Sequence, residues 1–162
     1  MLERGTVISP ILTIDSDRVF QESAFGQRVA KEIEVEGAKL AADNAQVAAS
    51  LESEEKQLTQ QRTTMTPEDF RVLADAFDKK VQETRQAQSA KGRALNELLD
   101  QEREVFLTAA APVLEQLMRE AGAAVILDRR TVFVSASAVE ITDDAIALLN
   151  ETIGSGADTK QP

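Results

Sequence analysis

Residues 24–121 contain only three Gly and two Pro, and are otherwise rich in Ala, Glu, Gln, Lys, Arg and Leu. These are strong helix formers, so almost a hundred consecutive residues are committed to helix. One short segment interrupts them, Thr63-Thr64-Met65-Thr66-Pro67-Glu68-Asp69. Thr66 is an N-cap, Pro67 takes the first helical position, where its missing N–H costs nothing, and Asp69 stands three residues after the cap. One long helix must therefore end near Arg62 and another begin at Pro67. A connection of about four residues makes the two antiparallel neighbours.

The first arm, from Ala24 to about Arg62, carries a seven-residue pattern. Ala30, Gly37, Asn44, Leu51, Leu58 and Met65 fall on one line; Ile33, Leu40, Val47, Glu54 and Gln61 fall on the next. A period of 3.5 is a coiled-coil seam. Gly37 and Asn44 stand where a firm zipper has Leu or Ile, and between Asp78 and Ala94 the only large apolar residue of the second arm is Val81. Burial at ~25 cal/mol per Å² is then barely enough to hold the arms, so they are expected to flex, above all over Ala45–Ala90. The second arm is predicted to run from Pro67 to about Ala121, to kink at Pro112 and to stop at Gly122.

The flanks hold the β-branched clusters. Val7–Ile14 reads as a first strand with an irregular start at Pro10. A short helical turn follows over Ser16–Gln21, capped by Asp15 or Ser16, and Ser23 is the N-cap of the first long helix. After Gly122, Ala124–Asp128 and Val132–Val134 read as two strands of a hairpin turning at Asp128–Thr131, although an Asn-Gly turn is lacking. Ser135–Glu140 is a loop. Thr142-Asp143-Asp144 caps a last helix, Asp143–Ile153. Gly154–Pro162 reads as a disordered tail.

The fold class is α+β: a long antiparallel coiled-coil hairpin, residues 24–121, inserted into a small discontinuous β body, residues 1–23 and 122–153. Each arm of ~38 residues or more spans ~57 Å, longer than a chain of this size is wide as a globule, so the hairpin is expected to project like a tentacle. The body is too small to close a core, and its open strand edges call for a body shared between subunits. Its residues are Ile11, Leu12, Ile14, Val125, Ile126, Leu127, Val132 and Val134.

Chemistry is narrowly bounded. The 162 residues include no His, Cys, Trp or Tyr. Cysteine nucleophiles, disulfides, thiolate and imidazole metal sites and Ser-His-Asp catalysis are excluded. No enzyme, cofactor or metal is expected. With 28 acids against 18 bases, net charge −10, the chain repels nucleic acid. Glu52-Ser53-Glu54-Glu55-Lys56 and Glu102-Arg103-Glu104 read as solvated helix faces rather than acid/base pairs. Asp128-Arg129-Arg130 reads either as a plain turn or as a partner for acids of a neighbouring subunit. Met65, Phe70, Leu73 and Phe77 cluster at the tip. The plain reading is core packing, with Phe70, Leu73 and Phe77 on Leu58 and Met65; the other is a patch that touches clients. No apolar run reaches the ~18–20 residues of a membrane helix. Met1-Leu2-Glu3-Arg4-Gly5 is not a secretory signal, since no apolar region follows it.

Ile11-Leu12-Thr13-Ile14-Asp15-Ser16-Asp17-Arg18-Val19-Phe20-Gln21-Glu22-Ser23 resembles the opening of the OmpH/Skp family of periplasmic chaperones. Members begin with an apolar strand, an Asp, a two-residue spacer, an Arg and a hydrophobic pair, then a small residue and a Gly, here Gly26. Ala123-Ala124-Val125-Ile126-Leu127-Asp128 resembles the family's strand ending in Leu-Asp. Ser137–Asp143 is similar to its Val-Asp-Ile-Thr-Asp segment, and Ala145–Asn150 to its closing helix. The resemblance covers residues 11–150, with specific motifs only at the two ends. It implies a trimer with a shared β-barrel body and three helical tentacles around a cavity that holds unfolded outer-membrane β-barrel proteins without ATP. It also implies a periplasmic location, so a leader is taken to have been removed.

The chain departs from this family in charge. Well-known members use basic tentacles to attract acidic clients and lipopolysaccharide, whereas residues 52–80 carry five bases against seven acids. No lipopolysaccharide or membrane contact is carried over to any residue. The leading expectation is a holdase chaperone. The alternatives are an adaptor hairpin docking on a partner complex through Thr63–Phe77, and a prefoldin-like chaperone, against which the end motifs argue.

Overall fold

In the computed structural model residues 9–156 are described. Chain order is β1 (Ile11–Ile14), α1 (Ser16–Glu22), α2 (Ala24–Gln61), α3 (Pro67–Glu120), β2 (Val125–Asp128) and α4 (Thr142–Thr152), with 3₁₀ turns at Arg129–Thr131 and Ser137–Val139. The chain divides into two compact units. Ile33–Leu99 forms one, and the described residues on either side form the other.

The helix boundaries follow local chemistry. The Asp15 carboxylate accepts from Arg18 N–H at 3.0 Å and starts α1. The Ser23 hydroxyl accepts from Gly26 N–H at 3.1 Å and donates to the Phe20 carbonyl at 2.8 Å, ending α1 and starting α2 in one residue. Thr66 Oγ1 accepts from Asp69 N–H and donates to the Asp69 carboxylate, the expected cap of α3. Helix α3 continues as helix through Pro112. It closes in a Schellman motif: Gly122 has φ +65°, its N–H donates to the Arg119 carbonyl, and Ala123 N–H donates to Met118.

In the unit of residues 33–99 the helices are antiparallel. Gly37 faces Leu95, Asp43 pairs with Lys91 and Glu54 with Lys80, so α3 numbers fall as α2 numbers rise. The half-buried positions of α2 are Ile33, Gly37, Leu40, Asn44, Val47, Leu51, Glu54 and Leu58, the two predicted seam lines. Ala30 and Gln61 at their ends are exposed. On α3 the stripe runs through Phe70, Ala74, Phe77, Val81, Thr84 and Gln88 to Leu95 and Leu98. Leu73 lies off it. Among the described residues of this unit none is buried.

In the other unit β1 and β2 pair in parallel, Ile11 with Val125 through Ile14 with Asp128. Parallel pairing requires a long crossover, here the two long helices. The Pro10 carbonyl accepts from Ala124 and Val125 N–H. Leu12, Val139 and Ile141 form one buried cluster, with Leu117, Ala123 and Ile126 against it. A second buried set includes Val19, Phe25, Val29, Phe106, Ala110, Val113, Ala145 and Leu149. Within it the Phe106 ring lies 5.1 Å edge-on from Phe20 and 5.4 Å from Phe25.

Four expectations change. Strand β1 starts at Ile11 rather than Val7; Val7 and Ile8 lie outside the described residues. Val132–Val134 is not a strand and makes no hairpin with β2. Asp128 instead caps a 3₁₀ turn, accepting from Arg130 N–H at 2.8 Å, and the chain crosses to β1. There Glu140 bridges Thr13, and Ile141 N–H donates to the Thr13 carbonyl at 2.9 Å. Burying Val139 and Ile141 outweighs pairing Val132–Val134, whose middle residue Phe133 is left fully exposed. Thr142 does not cap α4: its hydroxyl accepts from Asp15 N–H at 2.9 Å and donates to Glu140. The Glu140 carboxylate takes the Thr142 N–H instead, at 3.0 Å. Finally, Gly154–Gly156 are not a loose tail, since Gly156 is buried and Ser155 is hydrogen-bonded to α2. Residues 157–162 lie outside the described residues.

Candidate functional site

The tip residues occupy two environments. Met65, Phe70 and Phe77 are half-buried, and the Arg62 guanidinium lies 5.8 Å from the Phe70 ring centroid. Leu73, off the seam, is 36% exposed and its neighbour Val72 is 68% exposed. These two give the tip an apolar outer surface, of which the sequence reading named only Leu73.

Between the two helices the seam leaves open hollows. One, of about 380 Å³, has Leu40, Ala94, Leu95 and Leu98 as its apolar lining, with Glu36, Lys39, Asp43 and Lys91 at its rim. The rim charges are paired, Lys39 with Glu36 at 2.6 Å and Lys91 with Asp43 at 3.5 Å. A second, of about 440 Å³, lies among Leu51, Glu52, Glu55, Phe77, Val81 and Arg85. The small side chain of Ala94 borders the first hollow and that of Ala48 the second.

The body residues named from sequence divide likewise. Leu12 and Ile14 are buried in this chain's own core, and Ile126 and Val132 are half-buried. Ile11, Val125, Leu127 and Val134 are exposed, and Phe133 joins them. Beside the strand ends a polar cluster forms. Arg130 donates to both oxygens of Asp128 at 3.1 Å and to Asp17 at 2.8 Å, and Ser16 donates to Asp128. Hydrogen bonds from the Arg130 side chain, Ser16 and the Arg130 backbone hold the Asp128 carboxyl well below the usual range. Arg130 thus pairs within its own chain.

Glu102 is not on a solvated face. It is buried and accepts from Arg28 Nη2. Arg28 also donates to Glu32 at 2.9 Å and to the Ser155 carbonyl at 2.6 Å, and its guanidinium lies 4.6 Å from the Phe25 ring centroid. Burial alone lowers the pKa of Arg28, but the bonds to Glu102 and Glu32 outweigh it and the net shift is upward. The available signal was position: Glu102 stands seven residues after seam residue Leu95.

Among the described residues no group of three His, Cys, Asp or Glu is placed to hold a metal, and no helix is long and apolar enough to cross a membrane. The arrangement offers apolar contact surfaces along the seam and at the tip.

No match is found among curated proteins. The fold is similar to the crystal structure of a proposed outer membrane chaperone (OmpH-like) from Caulobacter crescentus CB15. The TM-score is 0.85 at 18% sequence identity, covering 95% of this chain and 91% of that chain. The family model described as outer membrane protein (OmpH-like) matches residues 10–149, from before β1 to within α4. The stretch includes both end motifs, and this chain belongs to the OmpH-like outer membrane protein family.

Proposed function

We propose that this protein is an ATP-independent holdase chaperone that keeps unfolded outer-membrane β-barrel proteins soluble in the periplasm. The observation that carries this reading is the half-buried seam of residues 33–99, together with family membership. Side chains such as Leu40, Leu95, Phe77 and Val81 remain reachable beside hollows that no residue of the seam fills. Shallow apolar sites on arms that flex suit many unfolded chains and need no catalysis or cofactor.

Self-association belongs to this reading. Ile11, Val125 and Leu127 are apolar and exposed on a two-stranded sheet, and Phe133 and Val134 are exposed in the chain that follows it, apolar surface that another copy would cover. Three copies joined through residues 1–23 and 122–153 would set three hairpins, residues 24–121, around a client cavity. Sedimentation equilibrium tests this: a trimer is expected, and a stable folded monomer at micromolar concentration refutes it.

The functional test is light scattering of a urea-diluted outer-membrane barrel protein. Suppression is expected at a few trimers per client, without ATP. It should depend weakly on salt, because ionic strength screens only charge terms and residues 52–80 of the arms carry five bases against seven acids. No suppression refutes the holdase reading. The exposed pair Val72 and Leu73 favours a second reading, an adaptor hairpin docking by its tip. An adaptor binds one folded partner stoichiometrically and leaves aggregation unchanged.

A further inference from the structure

In the segment after α4, Gly154 N–H donates to the Leu149 carbonyl at 3.2 Å and Gly156 N–H to the Ile153 carbonyl at 3.0 Å, and further contacts fall on the root of the long helices. Ser155 contributes its carbonyl, which accepts from Arg28 Nε at 2.6 Å. Gly156 lies on the buried ring of Phe25 so closely that a Cβ there would stand 2.2 Å from Phe25 Cε2. Gly154 and Gly156 both have positive φ, +54° and +68°, the backbone region that Gly enters without strain. The three residues therefore make a tight double bend that presents one carbonyl to Arg28 and one side-chain-free surface to Phe25. Asn150, at the end of α4, adds a third tie: its side-chain carbonyl accepts from Ala24 N–H, in the first turn of α2, at 2.8 Å.

Arg28 makes this segment more than a covering. The same guanidinium that holds Ser155 also holds Glu102 of α3 and Glu32 of α2, and stacks on Phe25. With the segment in place, the Arg28–Glu102 pair is kept from water and its attraction is strong. If the segment lifts, Nε loses its acceptor and water reaches the ring of Phe25 and the ion pair.

We propose that Gly154–Gly156 form a releasable strap that sets the rigidity of the root of the helical hairpin. Release loosens the clamp between residues 24–32 of α2 and residues 100–106 of α3. The strap is a point at which a partner that captures the chain after α4 would alter the arms. This inference stands on the intrachain contacts alone and not on the holdase reading.

The test is hydrogen exchange on the full chain without client, comparing wild type with Gly156→Ala and Ser155→Ala. Gly156→Ala cannot keep the strap seated, because its methyl has no room beside Phe25 and its φ is unfavourable. Exchange in residues 24–32 and 100–106 is expected to rise by about tenfold or more while Ile11–Ile14 keeps its wild-type rate. Ser155→Ala retains the carbonyl and should behave as wild type. Unchanged exchange at the root in Gly156→Ala overturns the proposal. So does loss of the helical circular dichroism signal, which would make these residues inseparable core rather than a strap.

Discussion

Arg28 Nη2 and Glu102 Oε2 stand 2.7 Å apart, joining α2 to α3 through side chains only 15% and 6% exposed. A charge pair so far from water is a costly element whose removal in halves differs from its removal whole. Glu102→Ala leaves the guanidinium of Arg28 without its α3 partner. The expected cost is about 3 kcal/mol, at the lower end for a broken buried pair because Glu32 and Ser155 remain. Arg28→Met with Glu102→Leu should recover most of that loss. Urea unfolding of the single and double variants measures both. A single variant within about 0.5 kcal/mol of wild type would remove the pair from any account of stability.

Two glycines in the same helix should respond with opposite sign. A Cβ on Gly26 would meet the Phe20 carbonyl oxygen at 1.7 Å, a backbone atom that cannot turn aside. Gly26→Ala is expected to destabilise by about 2–3 kcal/mol or more. A Cβ on Gly37 meets only Leu95 Cδ2 at 3.8 Å, an ordinary contact. Gly37→Ala should stabilise by about 0.5–1 kcal/mol, the helix propensity difference. Thermal unfolding of the two variants checks the signs.

Thr13 Oγ1 is buried without a hydrogen-bond partner among the described residues. Val has nearly the same shape and no hydroxyl to desolvate. Thr13→Val should therefore raise stability by about 1 kcal/mol, whereas Thr13→Ala should lower it by leaving a void. A decrease in the urea midpoint for Thr13→Val would show that water or another chain serves that hydroxyl.

The depressed pKa of Asp128 fixes the direction of its pH dependence. Its folded value lies below its unfolded value, so its contribution is complete above about pH 4 and fades as pH falls through the folded value. Asp128→Asn should lower the melting temperature at neutral pH, and the gap to wild type should narrow on acidification below about pH 4. Melting curves from neutral to strongly acidic pH test this; a gap that widens on acidification contradicts it. The exposed site is also salt-sensitive, so the gap should be smaller in high salt.

Neighbours in sequence determined much of this protein. The Thr66-Pro67-Asp69 cap, the Ser23 break, the Gly122 stop and the seven-residue seam each arise from contacts within one or two helical turns. The end motifs likewise identified the family. Gly26, a family position in the sequence, acquired its physical reason only when α1 was placed against the first turn of α2.

Tertiary structure decided what depends on residues far apart. Val132–Val134 has strand-forming side chains, yet the polar turn at Asp128 and the burial of Val139 and Ile141 beside β1 leave it irregular. Glu102 has the composition of a solvated face, but Arg28, 74 positions earlier, makes it a buried partner. Thr142 has the pattern of a cap, but its hydroxyl is taken by Asp15, 127 positions away. Gly154–Gly156 has the composition of a tail, but Phe25 and Arg28 offer it a seat. In each case local propensity differs by a kcal/mol or less, and one buried contact at long sequence separation outweighs it.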